Sequence, residues 1–226
     1  AGNVAKVTSL PTIMDIDTGF GQVMNMVRTI QEVENAGVAG CHLEDQVNPK
    51  RCGHLDGIQL VSRDEMVKKV KAAVDSRNDD NFLVIARTDS RGVEGFDSAV
   101  DRAKAYVDAG ADMIFPEAMK TENEFEAFRK AVNVPLLANM TEFGKSKLLT
   151  KKELENQGFN LVIYPVTTQR LAMYGVEQGL KAIKETGSAQ SVLDVMQTRS
   201  RLYEVLDYPA YNKFDDSLYN FKLNKE

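Results

Sequence analysis

The stretch Phe82-Leu83-Val84-Ile85-Ala86-Arg87, then a segment of helical period over 96–109, then Ala111-Asp112-Met113-Ile114-Phe115, reads as strand, helix, strand. Both short runs are apolar at nearly every position, which predicts parallel strands buried on both faces rather than a sheet wet on one side. The unit repeats outward in both directions. Towards the N-terminus lie a strand over 11–17, a helix ending near Ala36, a strand over 38–44 and, after a long loop, a helix over 63–75. Towards the C-terminus follow a helix over 122–131, a strand over 134–138, a helix over 151–156, a strand over 161–164 and a helix over 169–185.

Repeated β/α units build either a doubly wound sheet or a closed barrel, and the lack of a Gly-x-Gly-x-x-Gly phosphate turn favours the barrel. The expected fold is therefore α/β, of the (β/α)8 TIM-barrel type. Such a barrel has eight strands, and this reading finds six, so the first one or two β/α units are expected to be lacking. From Ser191 onward Val192, Val195, Met196, Leu202, Val205 and Leu206 keep helical spacing without alternating strands. This predicts a barrel domain over 1–190 and a helical extension over 191–226. Its apolar stripe, with Tyr203, Tyr208, Tyr211, Phe214, Tyr219 and Phe221, needs a surface to cover, and a neighbouring subunit supplies one. A homo-oligomer is expected.

The 226 residues carry a net charge of −5 with lysine and arginine spread throughout, so no nucleic-acid partner is expected. No apolar run approaches the roughly 20 residues that cross a bilayer, and no charged-then-apolar leader opens the chain. A soluble, cytoplasmic protein without membrane contact, acting on a small molecule, is the expectation. Cys41 lies in an apolar strand and Cys52 in a polar loop, and both are expected reduced.

Parallel strands bring their carboxyl ends to one rim, where α/β proteins place their chemistry. That rim collects Asp15 and Asp17, Glu44 and Asp45, Asp89, and Glu117. The alternation in Asp15-Ile16-Asp17 puts both carboxylates on one strand face. Clustered carboxylates repel unless a cation joins them, and oxygen ligands without histidine or cysteine at ligand spacing select a hard ion, Mg²⁺ or else Mn²⁺. Asp15 or Asp17 alone would serve equally as a helix cap, but Glu44-Asp45 has no helix close behind it to cap. Asp15, Asp17 and Glu44 are the expected metal ligands.

Lys50-Arg51-Cys52-Gly53-His54 follows the second strand and offers a thiol beside two cations and an imidazole, fit for a nucleophile or a proton donor. Cys41 and His42, inside a strand, read as structural. His54 is a candidate for holding the Cys52 loop or touching substrate. Gly53 and Gly57 point to a mobile loop over 46–62 that closes over the site. Arg87, Asn139 and Thr141 sit at the same rim and suit substrate carboxylates. Arg87 alone would as readily pair with Asp89 or Glu117, and its place in the ring favours a ligand.

Asp15-Ile16-Asp17-Thr18-Gly19-Phe20-Gly21, Glu44-Asp45-Gln46, Lys50-Arg51-Cys52-Gly53-His54, Ala86-Arg87-Thr88-Asp89 and Phe115-Pro116-Glu117-Ala118 together resemble the isocitrate lyase and phosphoenolpyruvate mutase superfamily. Leu137-Ala138-Asn139-Met140-Thr141-Glu142-Phe143-Gly144 and Met196-Gln197-Thr198-Arg199 extend the likeness, which runs from Leu10 to the C-terminus and is nearest to the 2-methylisocitrate lyases. The resemblance implies a Mg²⁺-dependent barrel, arranged in tetramers through exchanged helices, that cleaves the tricarboxylate 2-methylisocitrate to succinate and pyruvate by retro-aldol (Claisen-type) chemistry. It implies Cys52 as general acid/base, with His54 and Glu117 as its catalytic neighbours. The substrate would be held by Lys50, Arg51, Gly53, Arg87, Asn139, Thr141 and Arg199, and the metal by Asp15, Asp17 and Glu44. It also implies an upstream Ser-Gly-Gly turn and a further aspartate, so these 226 residues alone are expected to carry an incomplete site.

Isocitrate lyase ranks second: it shares the Lys-x-Cys-Gly-His loop but has longer chains. Relatives cleaving oxaloacetate-like 2-oxo acids share the aspartates, and the mutase generally lacks the cysteine pentapeptide. A catalytically incomplete scaffold is the alternative of another class.

Overall fold

The computed structural model describes residues 1–220; Phe221, counted above among the aromatic residues, lies outside them. The chain forms two compact units, Ala1–Thr167 and Thr168–Glu226. In the first, the elements run α1 (Gly2–Lys6), β1 (Ile13–Asp15), α2 (Val23–Asn35), β2 (Gly40–Glu44), α3 (Arg63–Ser76), β3 (Leu83–Thr88), α4 (Ser90–Val93), α5 (Phe96–Asp108), β4 (Met113–Pro116), α6 (Glu122–Ala131), β5 (Leu137–Asn139), α7 (Lys151–Asn156) and β6 (Leu161–Ile163). Helix starts follow the local chemistry: Ser62, Thr121 and Thr150 each accept a backbone N–H two or three residues into α3, α6 and α7. At α7 Glu153 returns the bond, completing a capping box.

β1, β2, β3 and β4 pair side by side, all parallel, and β5 pairs in parallel with β6. A parallel bridge between Ile114 and Leu136 carries the order on from β4 to β5. Register sets Arg87 beside both Glu44 and Phe115, and Asp15 beside His42. Two apolar layers follow from the period of two along each strand. One, between sheet and helices, includes Cys41, Leu43, Val84, Ala86, Ile114 and Ala138. The other, on the opposite face, holds Ile85, Met113, Phe115 and Leu137. Glu44, Arg87, Glu117 and Asn139 continue the second set, which is why they share a face.

The alternation of elements matches the sequence reading, with three departures. α1 and α4 lack the long apolar period that marks the other helices. β1 is confined to three residues, because the chain turns into a left-handed conformation at Asp17 (φ 48°) instead of continuing as strand. The outermost strands are also wetter than expected, with Ile13 exposed and all of β6 half-buried.

The second unit contains most of α8 (Thr167–Thr186), a 3₁₀ turn (Gln190–Val195), α9 (Arg199–Val205) and α10 (Tyr208–Tyr219). The expected boundary at 190 falls inside it. Tyr203 and Tyr208 pack ring to ring at 4.8 Å. Among the described residues no helix is long and apolar enough to cross a membrane.

Candidate active site

Three carboxylates gather around one ammonium at the ends of β1 and β2. Lys50 Nζ stands 2.8 Å from Asp17 Oδ1, 3.3 Å from Glu44 Oε1 and 4.0 Å from Asp15 Oδ2. The Asp17 backbone N–H donates to Asp15 Oδ1 (2.9 Å), and its carbonyl accepts the Glu44 N–H (2.9 Å), so the left-handed turn ties the two strand ends together. Burial alone opposes charge on Lys50, yet its bond to Asp17 and the nearby Glu44 and Asp15 hold its pKa above the ordinary value. Glu44 is fully buried, and burial pushes it up to about 7 despite Arg87 and Lys50. Its two oxygens lie within ion-pair range of Lys50 and of Arg87 Nε (3.5 Å), but neither accepts a hydrogen bond.

Among the described residues no three carboxylate, imidazole or thiol groups stand close enough together to hold a metal ion, and the Lys50 ammonium lies between the expected ligands. The donor set still fits a hard divalent cation: oxygen only, with two buried Glu44 oxygens unbonded. Asp15, Asp17 and Glu44 could hold Mg²⁺ where Lys50 now reaches.

A second cluster adjoins the first through Arg87. Its Nε and Nη2 donate to Asp89 (3.1 and 2.9 Å), and Nη2 lies 3.2 Å from Glu117 Oε2. The guanidinium also sits 5.0 Å over the Phe115 ring. Asn139 Nδ2 donates to both Glu117 oxygens (3.3 and 3.1 Å), while its Oδ1 accepts the Thr141 N–H (2.9 Å). Burial works against charge on Glu117, but Arg87, His54 and Asn139 outweigh it and lower the carboxyl to about 2.

The loop between Gln46 and Ser62 lies down on this cluster. Gly53 is buried, and a Cβ there would stand 2.3 Å from Asp89 Oδ1, 2.5 Å from Glu117 Cγ and 2.7 Å from Arg87 Nη2, so only glycine allows the approach. His54 Nδ1 accepts the Lys145 backbone N–H (2.8 Å), which leaves the proton on Nε2. That nitrogen stands 3.0 Å from Glu117 Oε1, off the line of a hydrogen bond. Cys52, between these anchored neighbours, is exposed. Arg51 is held through its backbone, which exchanges bonds with the Gln46 side chain (2.8 and 2.9 Å), and its guanidinium lies near Gly57, lining a cleft of about 250 Å³ with Asn48 and Gln59. Arg199 is the first residue of α9, in the second unit.

One rim residue differs from the sequence reading. Asp45 faces the helices: its carboxylate accepts from Thr88 Oγ1 (2.7 Å), the Asp89 N–H (2.9 Å) and Tyr106 Oη (2.8 Å), with Arg102 at 3.4 Å. Adjacent strand residues point to opposite faces, so Glu44 and Asp45 cannot both meet the rim. His42, read as structural, shares the Glu44 face, 3.7 Å from Asp15 and edge-on to Phe115 at 5.5 Å. Burial lowers its pKa.

The buried carboxylates give two opposite pH dependences. Glu117 titrates below its ordinary 4.5, so its stabilisation is complete above pH 4.5 and is lost as pH falls towards 2. Glu44 titrates above 4.5, so its contribution declines as pH rises from 4.5 through 7. Unfolding free energies followed from pH 5 down to pH 3 should therefore fall less steeply in Glu117→Gln, by a slope approaching about one proton. Equal slopes would remove Glu117 as the acid-labile group.

A profile of the family described as phosphoenolpyruvate phosphomutase matches residues 1–184. A probable 2-methylisocitrate lyase of Corynebacterium glutamicum is 59% identical over 221 residues, 98% of this chain and 72% of that protein. The solved structure of 2,3-dimethylmalate lyase, a member of the PEP mutase/isocitrate lyase superfamily, superposes with a TM-score of 0.88 at 32% identity, over 99% of this chain and 76% of its own. Phosphonopyruvate hydrolase, solved with oxalate and Mg²⁺, superposes at 0.81 with 28% identity, over 97% and 76%. These likenesses agree with the α/β barrel read from the strand pattern. The chain belongs to the phosphoenolpyruvate phosphomutase family, on its 2-methylisocitrate lyase branch.

Proposed function

We propose that this chain is a carbon–carbon lyase that cleaves 2-methylisocitrate to succinate and pyruvate, with Cys52 as the acid that completes the reaction. The bond that breaks joins the hydroxyl-bearing carbon to its carboxylated neighbour. Its electron pair stays on that neighbour as a carbanion delocalised into the carboxylate, while the hydroxyl loses its proton to solvent and the carbon that bore it becomes the carbonyl of pyruvate. The Cys52 thiol delivers the proton that turns the carbanion into succinate, leaving a thiolate to be reprotonated. What carries this reading is the burial of Gly53 on Arg87, Asp89 and Glu117, which brings the adjoining Cys52 to the rim.

Arg87, Asn139 and Thr141 bind the succinate end in this reading. The bonds and ion pairs given above for Arg87 use Nε and Nη2, so Nη1 is the nitrogen left for a substrate carboxylate. His54, paired with Glu117, holds the loop, and Lys50, Arg51, Gly53 and Arg199 are assigned to the substrate's remaining carboxylates on family likeness. Asp15, Asp17 and Glu44 would hold Mg²⁺, and the chemistry it would supply there when bound is polarisation of the emerging carbonyl. Asp17→Ala should weaken Mg²⁺ binding at least about tenfold by calorimetric titration, since it removes one charged ligand of three; unchanged affinity would take Asp17 out of the site.

With Mg²⁺, kcat/KM for 2-methylisocitrate should exceed that for isocitrate, and the reverse preference would replace the substrate assignment. The same reading assigns residues 191–226 to contacts with a neighbouring subunit of a homo-oligomer, a tetramer by family likeness, in keeping with exposed Tyr211, Phe214 and Tyr219. It also places the protein in the cytoplasm, in keeping with two unpaired thiols.

A further inference from the structure

The loop that carries Cys52 is pinned at its base and, separately, at its tip. At the base, Gln46 bridges to Leu60, the Val47 N–H donates to Gln59 O (2.8 Å), and the Val61 N–H donates to Asp45 O (2.9 Å). Those bonds fix where the loop leaves and returns. The tip is gripped by two residues some ninety positions further on, in the connection between β5 and α7. The Lys145 backbone N–H donates to His54 Nδ1 (2.8 Å), and Lys145 Nζ donates to Leu55 O (3.2 Å) and Asp56 Oδ1 (2.8 Å). Gly144 lies against the same imidazole, where a Cβ would stand 2.6 Å from Nδ1 and 2.9 Å from Cε1.

We propose that Lys145 is a positioning residue for Cys52: with Gly144 it forms the seat on which the tip of the loop closes, holding the thiol over the Arg87 and Glu117 cluster. The proposal rests on the lyase reading, and deepens it. Lys145 contacts three consecutive residues, His54, Leu55 and Asp56, starting two positions beyond Cys52, so a small shift there is transmitted directly to the thiol. The ion pair to Asp56 counts for little by itself, because that carboxylate is 98% exposed. The side-chain bond to Leu55 O carries the positioning that substitution at 145 removes, by occupying a backbone carbonyl at the turn, while the bond to His54 comes from the backbone and is kept in every variant. A group displaced by about 1 Å can lose orders of magnitude in rate while substrate binding is nearly unchanged, because proton delivery matters only in the transition state.

The test compares Lys145→Met and Lys145→Arg with wild type, in the Mg²⁺-loaded protein, by steady-state kinetics and by amide hydrogen exchange. Lys145→Met should lower kcat about tenfold with KM within about twofold, and should speed exchange of amides 50–57 about tenfold while leaving β2, β3 and β4 unchanged. Lys145→Arg, which can still donate to Leu55 O, should recover both. The proposal is overturned by unchanged kcat, by an effect confined to KM, by unchanged exchange over 50–57, or by an arginine variant no better than the methionine one. Exchange is read without substrate, so a wild type that fails to cleave 2-methylisocitrate sinks the lyase reading alone, and the exchange result still decides whether Lys145 holds the loop.

Discussion

Cys52→Ser is expected to lower kcat for 2-methylisocitrate by about a hundredfold to ten-thousandfold, the usual range for a lost general acid. Serine keeps the size and place of the side chain, so the substitution isolates proton donation: an alcohol releases its proton far less readily than a thiol. Because Cys52 is exposed and contributes no core packing, thermal stability should stay within about 1 °C of wild type. KM should change little, since the lost interaction belongs to the transition state. Full activity in the serine variant would end the acid role while leaving the fold and the metal site untouched. Cys41 provides the contrast. It is buried among apolar side chains and its thiol is pushed up to about 12 by burial, so Cys41→Ser should spare the chemistry and act on stability alone.

Arg87→Met should destabilise the protein by about 3 to 5 kcal/mol at neutral pH, the range for stranding buried charge by removing one partner. Three buried carboxylates face this guanidinium: Asp89 through two hydrogen bonds, Glu117 at 3.2 Å and Glu44 at 3.5 Å. Methionine fills much of the volume but leaves all three without that cation. The sign with pH follows from which form the fold then prefers. Arg87 lowers the pKa of both Glu44 and Glu117, so without it these two carboxyls are more readily neutralised by protons and the deficit should shrink as pH falls from 7 to 5. Arg87→Lys keeps one charge but not the fork and should fall between the two. Urea denaturation at pH 7 and pH 5 measures both effects; a loss under about 1 kcal/mol at pH 7 would mean that solvent or a rearranged Lys50 compensates these carboxylates.

The barrel was legible in the strands because a parallel strand buried on both faces leaves a run such as Phe82 to Arg87 that little else explains. The ends of elements were less so. β1 stops at Asp15 because of the left-handed turn at Asp17, a conformation that aspartate tolerates and that the surrounding apolar pattern does not announce. Within the site, Asp15, Asp17, Glu44, Arg87, Glu117 and Asn139 come together as strand position alone suggests. Asp45 differs for one reason: its position at the rim does not decide which way it points, and the alternation along the strand turns it to the face opposite Glu44. Two further features had no local signal. Lys50 reads as a substrate cation in sequence and is found among three carboxylates of its own chain. The grip of Gly144 and Lys145 on His54 joins residues 91 apart or nearly so, a distance at which spacing says nothing.

The proposed chemistry rests most directly on product formation. The protein, incubated with Mg²⁺ and 2-methylisocitrate in D₂O and followed by NMR, should yield equal amounts of pyruvate and succinate, the succinate carrying one solvent-derived deuterium at the carbon where the bond broke. Intact 2-methylisocitrate after many expected turnover times, or products other than this pair, would contradict the carbon–carbon lyase reading of this chain.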